Sequence, residues 1–363
     1  MTLRERVEEA EAAAGRERDD ARNGTRATRV VAIILTHNEA KHLPRCLASL
    51  QSVVDECYVV DSYSTDDTAS IAAAHNARFL QRSWVNHAVQ FNWALEQLDP
   101  EPDWVLRIDA DEYVTPALAA EMRERLPDLP PEIQGVVCTL RRTFQGRMIR
   151  FGGLSAVGML RLFRYGCGRC ETRWMDEHVK VPGETVRFRG ALIDDNLNSL
   201  TWWTEKHNRY ASREAIELLN LEYGFLPRTQ ATGERDLSET GRKRWLKETV
   251  YTRLPGGLRA LGYFLYRYVL LLGFLDGRTG TSFHVLQGFW YRYLVDAKVA
   301  EVKRYARDSE VDMITAIERV LGISGLTTSA SPVPDRRSTG DAPGNVAREG
   351  RSATRSPDQT PTT

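Results

Sequence analysis

Asp109 and Asp111 stand two residues apart at the end of an apolar run, Trp104-Val105-Leu106-Arg107-Ile108, with Glu112 directly after them. The run reads as a buried strand. Carboxylates at i and i+2 just past a strand end converge on one hard cation as the chain turns. Such oxygen ligands suit Mg²⁺ or Mn²⁺ and, with the metal, phosphate oxygens. An isolated D-x-D is also common in solvated turns, here one leading to a helix start at Thr115-Pro116. The preceding chain separates this pair from such a turn. Asn38-Glu39 follows one apolar run, and Asp61, with Asp66 and Asp67 close behind, ends another. A fourth acidic group, Asp176-Glu177, sits between Trp174-Met175 and Val179. Ligand sites of open α/β sheets collect at the carboxyl edge of the strands, where the first three groups would meet.

The elements that must carry these groups alternate. Val30 to Thr36 is a continuous apolar run, as expected of a parallel strand buried on both faces. Leu43, Leu47, Leu50 and Val54 then recur at helical spacing, with Pro44 in the first turn. Cys57 to Val60 is a second strand, and Ser62 to Thr68 supplies turn and N-cap chemistry. A short Ala-rich helix, a strand near Ala77 to Leu80 and a helix over Asn86 to Leu98 precede the strand at Trp104. This order predicts right-handed βαβ units. After Leu126, Gly135 to Leu140 and Met159 to Arg164 are strands with no helix between them, so the sheet is predicted to be mixed. Leu200 to Asn220 is a long helix with Trp203, His207, Tyr210 and Glu214 on one face.

The chain has 363 residues, with Lys+Arg and Asp+Glu balanced at 49 each. Zero net charge disfavours a general nucleic-acid binder. The five cysteines have no disulfide rhythm, and Cys167-Gly-Arg-Cys170 lacks the second pair of a zinc site. A reducing cytosol fits this usage. Residues 1–28 are charged, have no secretory apolar segment and are expected to be disordered. The catalytic domain is expected over 29–241, a basic aromatic helical extension over 242–325 and a disordered tail over 326–363. In the extension, Tyr263 to Leu275 and Phe289 to Leu294 are apolar but too short to span a bilayer. Arg242, Lys243, Arg244, Lys247, Arg253, Arg259, Arg267, Arg278, Arg292 and Lys298 surround them. Such a mixture suits a helix lying on an anionic membrane surface, and equally a helical hairpin packed on the catalytic domain.

Thr36-His37-Asn38-Glu39, Val60-Asp61-Ser62-Tyr63-Ser64-Thr65-Asp66 and Asp109-Ala110-Asp111-Glu112 resemble, in order and spacing, the family 2 glycosyltransferases, closest to the lipopolysaccharide-core and exopolysaccharide branch. The resemblance runs from about Arg29 to Glu217. It implies an α/β chain with a GT-A Rossmann-like mixed sheet flanked by helices, here followed by a membrane-associating helical extension. It further implies an inverting, metal-dependent hexosyltransferase that takes a nucleotide-sugar, a UDP-sugar by preference. The acceptor would be a saccharide or a lipid-linked saccharide of the cell envelope. The enzyme would be cytoplasmic and peripheral to the inner face of the cytoplasmic membrane.

Carried over by motif, Thr36, Asn38 and Glu39 line the nucleotide pocket. Asp61 contacts uracil or ribose, Asp109 approaches sugar or ribose, and Asp111 holds the Mg²⁺ or Mn²⁺ on the diphosphate. Asp176 or Glu177 is the base that takes the acceptor proton. Apolar neighbours strengthen such a carboxylate, and Asp176 is preferred. Adjacent residues of an extended segment point opposite ways, so one of the two faces the pocket. His207 reads first as a structural histidine, and the resemblance leaves it open as a distal metal ligand. Arg141 and Arg142 read as phosphate contacts or edge charges. Two other readings compete. A sugar-phosphate nucleotidyltransferase would want a Gly-rich basic loop after the first strand, which Thr36 to Glu39 is not. A non-catalytic, membrane-recruiting module would not need Asp109, Asp111 and Asp176-Glu177.

Overall fold

A computed structural model describes residues 28–154, 157–171, 178–226 and 257–324. The charged N-terminal segment up to residue 27, the Asp176-Glu177 pair, the basic stretch from Arg242 to Arg253 and the tail from residue 325 lie outside the described residues.

The alternating half forms as the sequence predicts. β1 (Val30–Thr36), α1 (Leu43–Leu50), β2 (Glu56–Asp61), α2 (Thr68–Ala74), β3 (Arg78–Gln81), α3 (His87–Leu95) and β4 (Trp104–Arg107) follow in order. Two short elements come next, β5 (Glu112–Val114) and α4 (Pro116–Arg125). Thr115 caps α4, its hydroxyl accepting from the Leu118 amide at 3.3 Å. The second half supplies β6 (Ile133–Phe144), β7 (Arg147–Met148), β8 (Val157–Arg164), β9 (Arg169–Cys170), β10 (Val179–Lys180), β11 (Glu184–Asp194) and α5 (Leu200–Tyr223).

The main sheet runs β3-β2-β1-β4-β8-β6-β11-β5, with β7 paired to β6. β3, β2, β1 and β4 are mutually parallel, β8 is antiparallel to both its neighbours, and β11 runs parallel to β6. The mixed sheet flanked by helices is the fold class expected of a GT-A protein. Two strands carry positions the sequence reading leaves unassigned. β5 is three residues long and exists because Glu112–Val114 pairs with the end of β11. β11 itself has a readable burial alternation only in part, since its last residues are buried on both faces.

Side-chain alternation along β1 divides the core. Val30, Ala32 and Ile34 pack with Leu43, Cys46 and Leu47 of α1 and Leu118 and Met122 of α4. Val31 and Ile33 face the other way, onto Ala88, Phe91 and Ala94 of α3. Trp104 and Leu106 of β4 are fully buried, and each side chain contributes about 1.5–3 kcal/mol of apolar burial. This core holds the strand ends, and with them the acidic groups, in one row.

The helical region consists of α6 (Leu258–Leu265), continued as a π-helical turn to Leu270, a 3₁₀ turn over Gly273–Asp276, α7 (Gly277–Phe283), a π-helical segment over His284–Trp290, α8 (Tyr291–Asp308) and α9 (Met313–Leu321). Helix α8 packs along α5 through Ala211, Ala215, Tyr291 and Val295. Here the sequence expectation that Arg259, Arg267 and Arg292 meet lipid is corrected. Arg259 is paired with Asp296, with both side chains more than 90 % buried. Arg267 is 2 % exposed and donates to the Gly152 carbonyl at 3.1 Å and to Gln287. Arg292 donates to Glu214, which also accepts from the Tyr291 hydroxyl at 2.7 Å. Burying a guanidinium is costly, and these three are tolerated inside because each finds an acceptor there.

Candidate active site

Because β1, β2, β4, β6 and β11 share one direction, their carboxyl ends lie on one edge of the sheet. Thr36, Asp61, Asp109 and Asp194 stand on that edge, as do Asp111 and Glu112 at the entry to β5. The first three predicted acidic groups are therefore brought together. Two of them, at β1 and β2, are tied by side chains. The Thr36 hydroxyl donates to Asp61 Oδ1 at 2.9 Å, and the Ser64 amide donates to Asp61 Oδ2 at 2.8 Å. Gln81 adds a longer bond at 3.3 Å. Asp61 is fully buried, so in this structure its carboxylate shapes the Ser62–Thr65 turn rather than facing solvent. Asn38 adopts a left-handed conformation, φ 56°, which Asn tolerates better than most residues. From there its amide donates to Ser64 Oγ at 2.7 Å, and its side-chain oxygen accepts from the Thr65 amide at 2.8 Å.

Glu39 starts a chain across the site. Its Oε2 accepts from His42 Nδ1 at 2.6 Å, and His42 Nε2 accepts from the Leu197 amide at 2.9 Å. The second bond places the imidazole proton on Nδ1. A buried histidine thus joins the β1 loop to the segment after β11.

The D-x-D pair has unequal surroundings. Asp109 accepts from Arg161 at 3.1 Å while its side chain stays 42 % exposed. Burial pushes its carboxyl up, but Arg161, Arg107 and His87 together hold it well below the ordinary carboxylate range. Arg161 also meets Glu112, with both side chains 3 % exposed. Burial first, then the charges of Asp109, Asp194 and Asp111, push the Glu112 carboxyl up against the pull of Arg161. Asp111 accepts from the Asn196 amide at 3.1 Å, and its backbone carbonyl accepts from the Asp195 amide at 3.0 Å. Among the described residues, Asp111 forms no ion pair. The neighbouring Asp194 and Asp195 are taken by Arg142, at 2.7 Å, and by Arg45. Arg142 is therefore engaged in holding the end of β11.

Among the described residues no three His, Cys, Asp or Glu side chains are grouped to hold a metal ion alone. The donor set nonetheless fits a hard divalent cation that completes its shell with ligand oxygens. Asp111 is ion-pair-free and half-buried, and Asp109 is kept ionised by its neighbours.

His207 sits in an aromatic stack. Its ring lies 3.5 Å from that of Trp203, with Tyr291 and Tyr210 beyond. Nδ1 donates to the Trp203 carbonyl at 2.9 Å, leaving the lone pair of the neutral ring on Nε2. Burial lowers its pKa to about 4; the Trp203 carbonyl opposes this, and Lys206 and Arg142 add to it. An unfolded chain takes up this proton near the ordinary 6.5, so the unfolded state binds more protons between these values and stability falls as pH falls through that window. In EDTA, the urea midpoint of the parent should drop faster than that of His207→Phe between about pH 7 and about pH 4.5. Parallel profiles would remove the imidazole from this role.

Sequence reasoning missed Lys206, Arg161 and Asn196. Lys206 lies over the Trp202 ring, 4.7 Å to its centroid. Burial lowers its pKa, but Tyr210, Asp111 and Glu39 raise it above its ordinary value. It thus stays a cation, favoured by the negative charge of the D-x-D and of the β1 loop. Its position one residue before His207 on a predicted helix was a usable signal. Arg161, in contrast, looked like one of many basic strand residues.

The match to known families falls on this edge. Residues 31–175 match the model "Glycosyl transferase family 2". The matched stretch contains Thr36, Asn38, Glu39, Asp61, Asp109, Asp111 and Arg161. An uncharacterized glycosyltransferase of Rickettsia felis is 40 % identical over 94 residues, 26 % of this chain and 32 % of that one. An uncharacterized protein of Mycobacterium tuberculosis is 32 % identical over 130 residues, 31 % of this chain and 30 % of that one. The chain spans about a third of the length of these curated relatives. Among solved structures, glucosyl-3-phosphoglycerate synthase of M. tuberculosis with Mg²⁺ and UDP is similar over 33 % of this chain and 44 % of that one. The identity is 22 % and the TM-score 0.26.

Proposed function

We propose that this chain is an inverting glycosyltransferase that moves a hexose from a nucleotide-sugar, with a UDP-sugar as donor, to a saccharide or lipid-linked acceptor of cell-envelope polysaccharide synthesis. The observation that carries the reading is the row of groups on one sheet edge: the Asn38–Ser64–Asp61 turn, the ionised Asp109, and an ion-pair-free Asp111 held by Asn196. Thr36, Asn38 and Glu39 form the nucleotide side, with Asp61 setting the turn against which base and ribose rest. Asp109 and Asp111 are the residues that would hold Mg²⁺ or Mn²⁺, with His207 Nε2 as a distal donor. The bound cation offsets charge that builds on the departing diphosphate.

The rest of the reaction is assigned to the chain's own groups. Lys206 puts a positive charge beside the diphosphate. The acceptor hydroxyl oxygen attacks the anomeric carbon from the face opposite the diphosphate. The bond to the diphosphate breaks with its electron pair leaving on UDP, and the hydroxyl proton passes to a carboxylate. Asp176 is that carboxylate by preference, with Glu177 as the other candidate. Asp176→Asn is therefore expected to lower transfer by about 100-fold or more, the upper part of the range for a general base, with donor binding unchanged. Glu177→Gln is expected to do less. A dead Glu177→Gln beside an active Asp176→Asn would exchange the two roles. We further propose that the enzyme works in the cytoplasm, peripheral to the inner face of the cytoplasmic membrane, where lipid-linked acceptors are found.

A thermal-shift panel tests the donor assignment. A nucleotide-sugar that binds the native state raises its melting temperature. UDP-sugars with Mn²⁺ are expected to raise it, and to do so less in EDTA. A flat response to every nucleotide-sugar would sink the reading.

A further inference from the structure

The strongest unexplained feature is the outward side of α6 and the turn that follows. Leu258, Leu261, Leu265, Val269, Leu270 and Leu275 are all exposed, Leu258 by 63 % and Leu270 by 71 %. The first four recur at helical spacing and so form one stripe. The only charged residues from Leu258 to Asp276 are Arg259, Arg267 and Asp276. All three point inward: Arg259 to Asp296, Arg267 to Gly152 and Gln287, Asp276 to the amides of Arg150 and Phe151 at 2.9 and 3.0 Å. Among the described residues, what this segment leaves outside is an apolar surface to which it contributes no charged side chain, and soluble monomers rarely expose large apolar patches.

Basic residues border it at the turn. Arg150 and Arg278 are exposed; the Arg150 amide donates to Asp276, and Arg278 follows Asp276 by two residues. Tyr266, 49 % exposed, adds an amphipathic ring at the boundary. Among the described residues no single helix is long and apolar enough to cross a membrane. Leu258–Leu270 and Gly273–Asp308 reach that length and composition only together, as a pair bent by 71°. A bent, uncharged apolar tip with arginines around it suits shallow insertion below anionic headgroups.

The surface is fixed to the sheet edge that bears the active site. Gly152 has φ +74°, and a Cβ there would lie 2.2 Å from the His284 ring, so the β7–β8 loop closes onto the helices without room to spare. Phe283 packs on Phe144 at the carboxyl end of β6, and Phe144 packs in turn on Trp203.

We propose that this surface is a membrane-insertion face. Leu258 to Leu275 enter the headgroup boundary of an anionic bilayer, and Arg150 and Arg278 contact its phosphates. It deepens the membrane part of the proposed function and rests on that part alone.

The test uses the full chain and vesicles of phosphatidylcholine, alone or with an equal part of phosphatidylglycerol. The parent is expected to sediment with the mixed vesicles and to be only partly released by high salt. Leu265→Glu/Leu270→Glu is expected to lose at least about tenfold in bound fraction, because charge is placed where apolar surface enters lipid. Arg150→Glu/Arg278→Glu should bind mixed vesicles more weakly and lose the preference for phosphatidylglycerol. Both variants should release UDP from a UDP-sugar at the parent rate, which reports donor chemistry separately. A parent that stays in the supernatant with mixed vesicles overturns the proposal. Equal binding by the Leu variant overturns the assignment of this face. A parent that elutes as a dimer, with the Leu variant monomeric and the vesicles unbound, makes the face a contact between two copies instead.

Discussion

Asp111→Asn is expected to remove metal-dependent donor binding and to cut UDP-sugar turnover by about 100-fold or more, on the scale of losing one preorganised group that stabilises transition-state charge. The substitution is nearly isosteric, and the partner of Asp111 is the neutral Asn196 amide at 3.1 Å. No ion pair among the described residues is broken, so the urea midpoint should hardly move. The parent should bind UDP more tightly with Mn²⁺ than with EDTA, while the variant should bind equally in both. Equal affinities already in the parent would take the metal away from this pair.

Arg161→Met has the opposite signature, a large effect on stability. The guanidinium is buried between Asp109 and Glu112, and its Nε and Nη1 have no hydrogen-bond partner among the described residues. It is held there by charge. Removing it leaves the buried Glu112 without its counter-charge, so that the carboxyl must take up a proton to stay buried; losing one partner of comparable buried pairs costs about 3–5 kcal/mol. The urea midpoint should fall with an unchanged m-value. Arg161→Met/Glu112→Gln should recover part of the loss, since the two residues are coupled. Asp109 also loses its largest source of positive potential. Its carboxyl then titrates higher, and metal-dependent UDP binding should begin to fail at a higher pH than in the parent. A stable variant with an unshifted pH profile would show that Arg161 neither supports nor tunes the pair.

The fold was legible where local and tertiary demands agree. Apolar runs ending in Asp61 and Asp109, separated by amphipathic helices, specify β1 to β4 because buried parallel strands need little else. β5 was not legible, since three residues carry no period and Glu112–Val114 becomes a strand only by meeting Leu192–Asp194. The same holds for the site. Asn38, Glu39, Asp61, Asp109 and Asp111 announce themselves by type and spacing at strand ends. Arg161 and Asn196 reach the site from distant segments, and nothing in their local sequence marks that, whereas Lys206 is marked only by its place beside His207 on the predicted helix. The three arginines of the helical region show the limit most plainly. A basic residue in an apolar run fits a lipid-facing anchor as well as a buried pair. Asp296, Glu214 and the Gly152 carbonyl decide the matter, and all three lie far off in the chain or across the fold.

The most direct test of the whole account is UDP release from a panel of UDP-sugars by the parent protein in Mn²⁺, followed continuously. The account expects UDP from at least one UDP-sugar, no release in EDTA, and a rate in Asp111→Asn lower by about 100-fold. No UDP from any UDP-sugar, or the same rate with and without the metal, would contradict it.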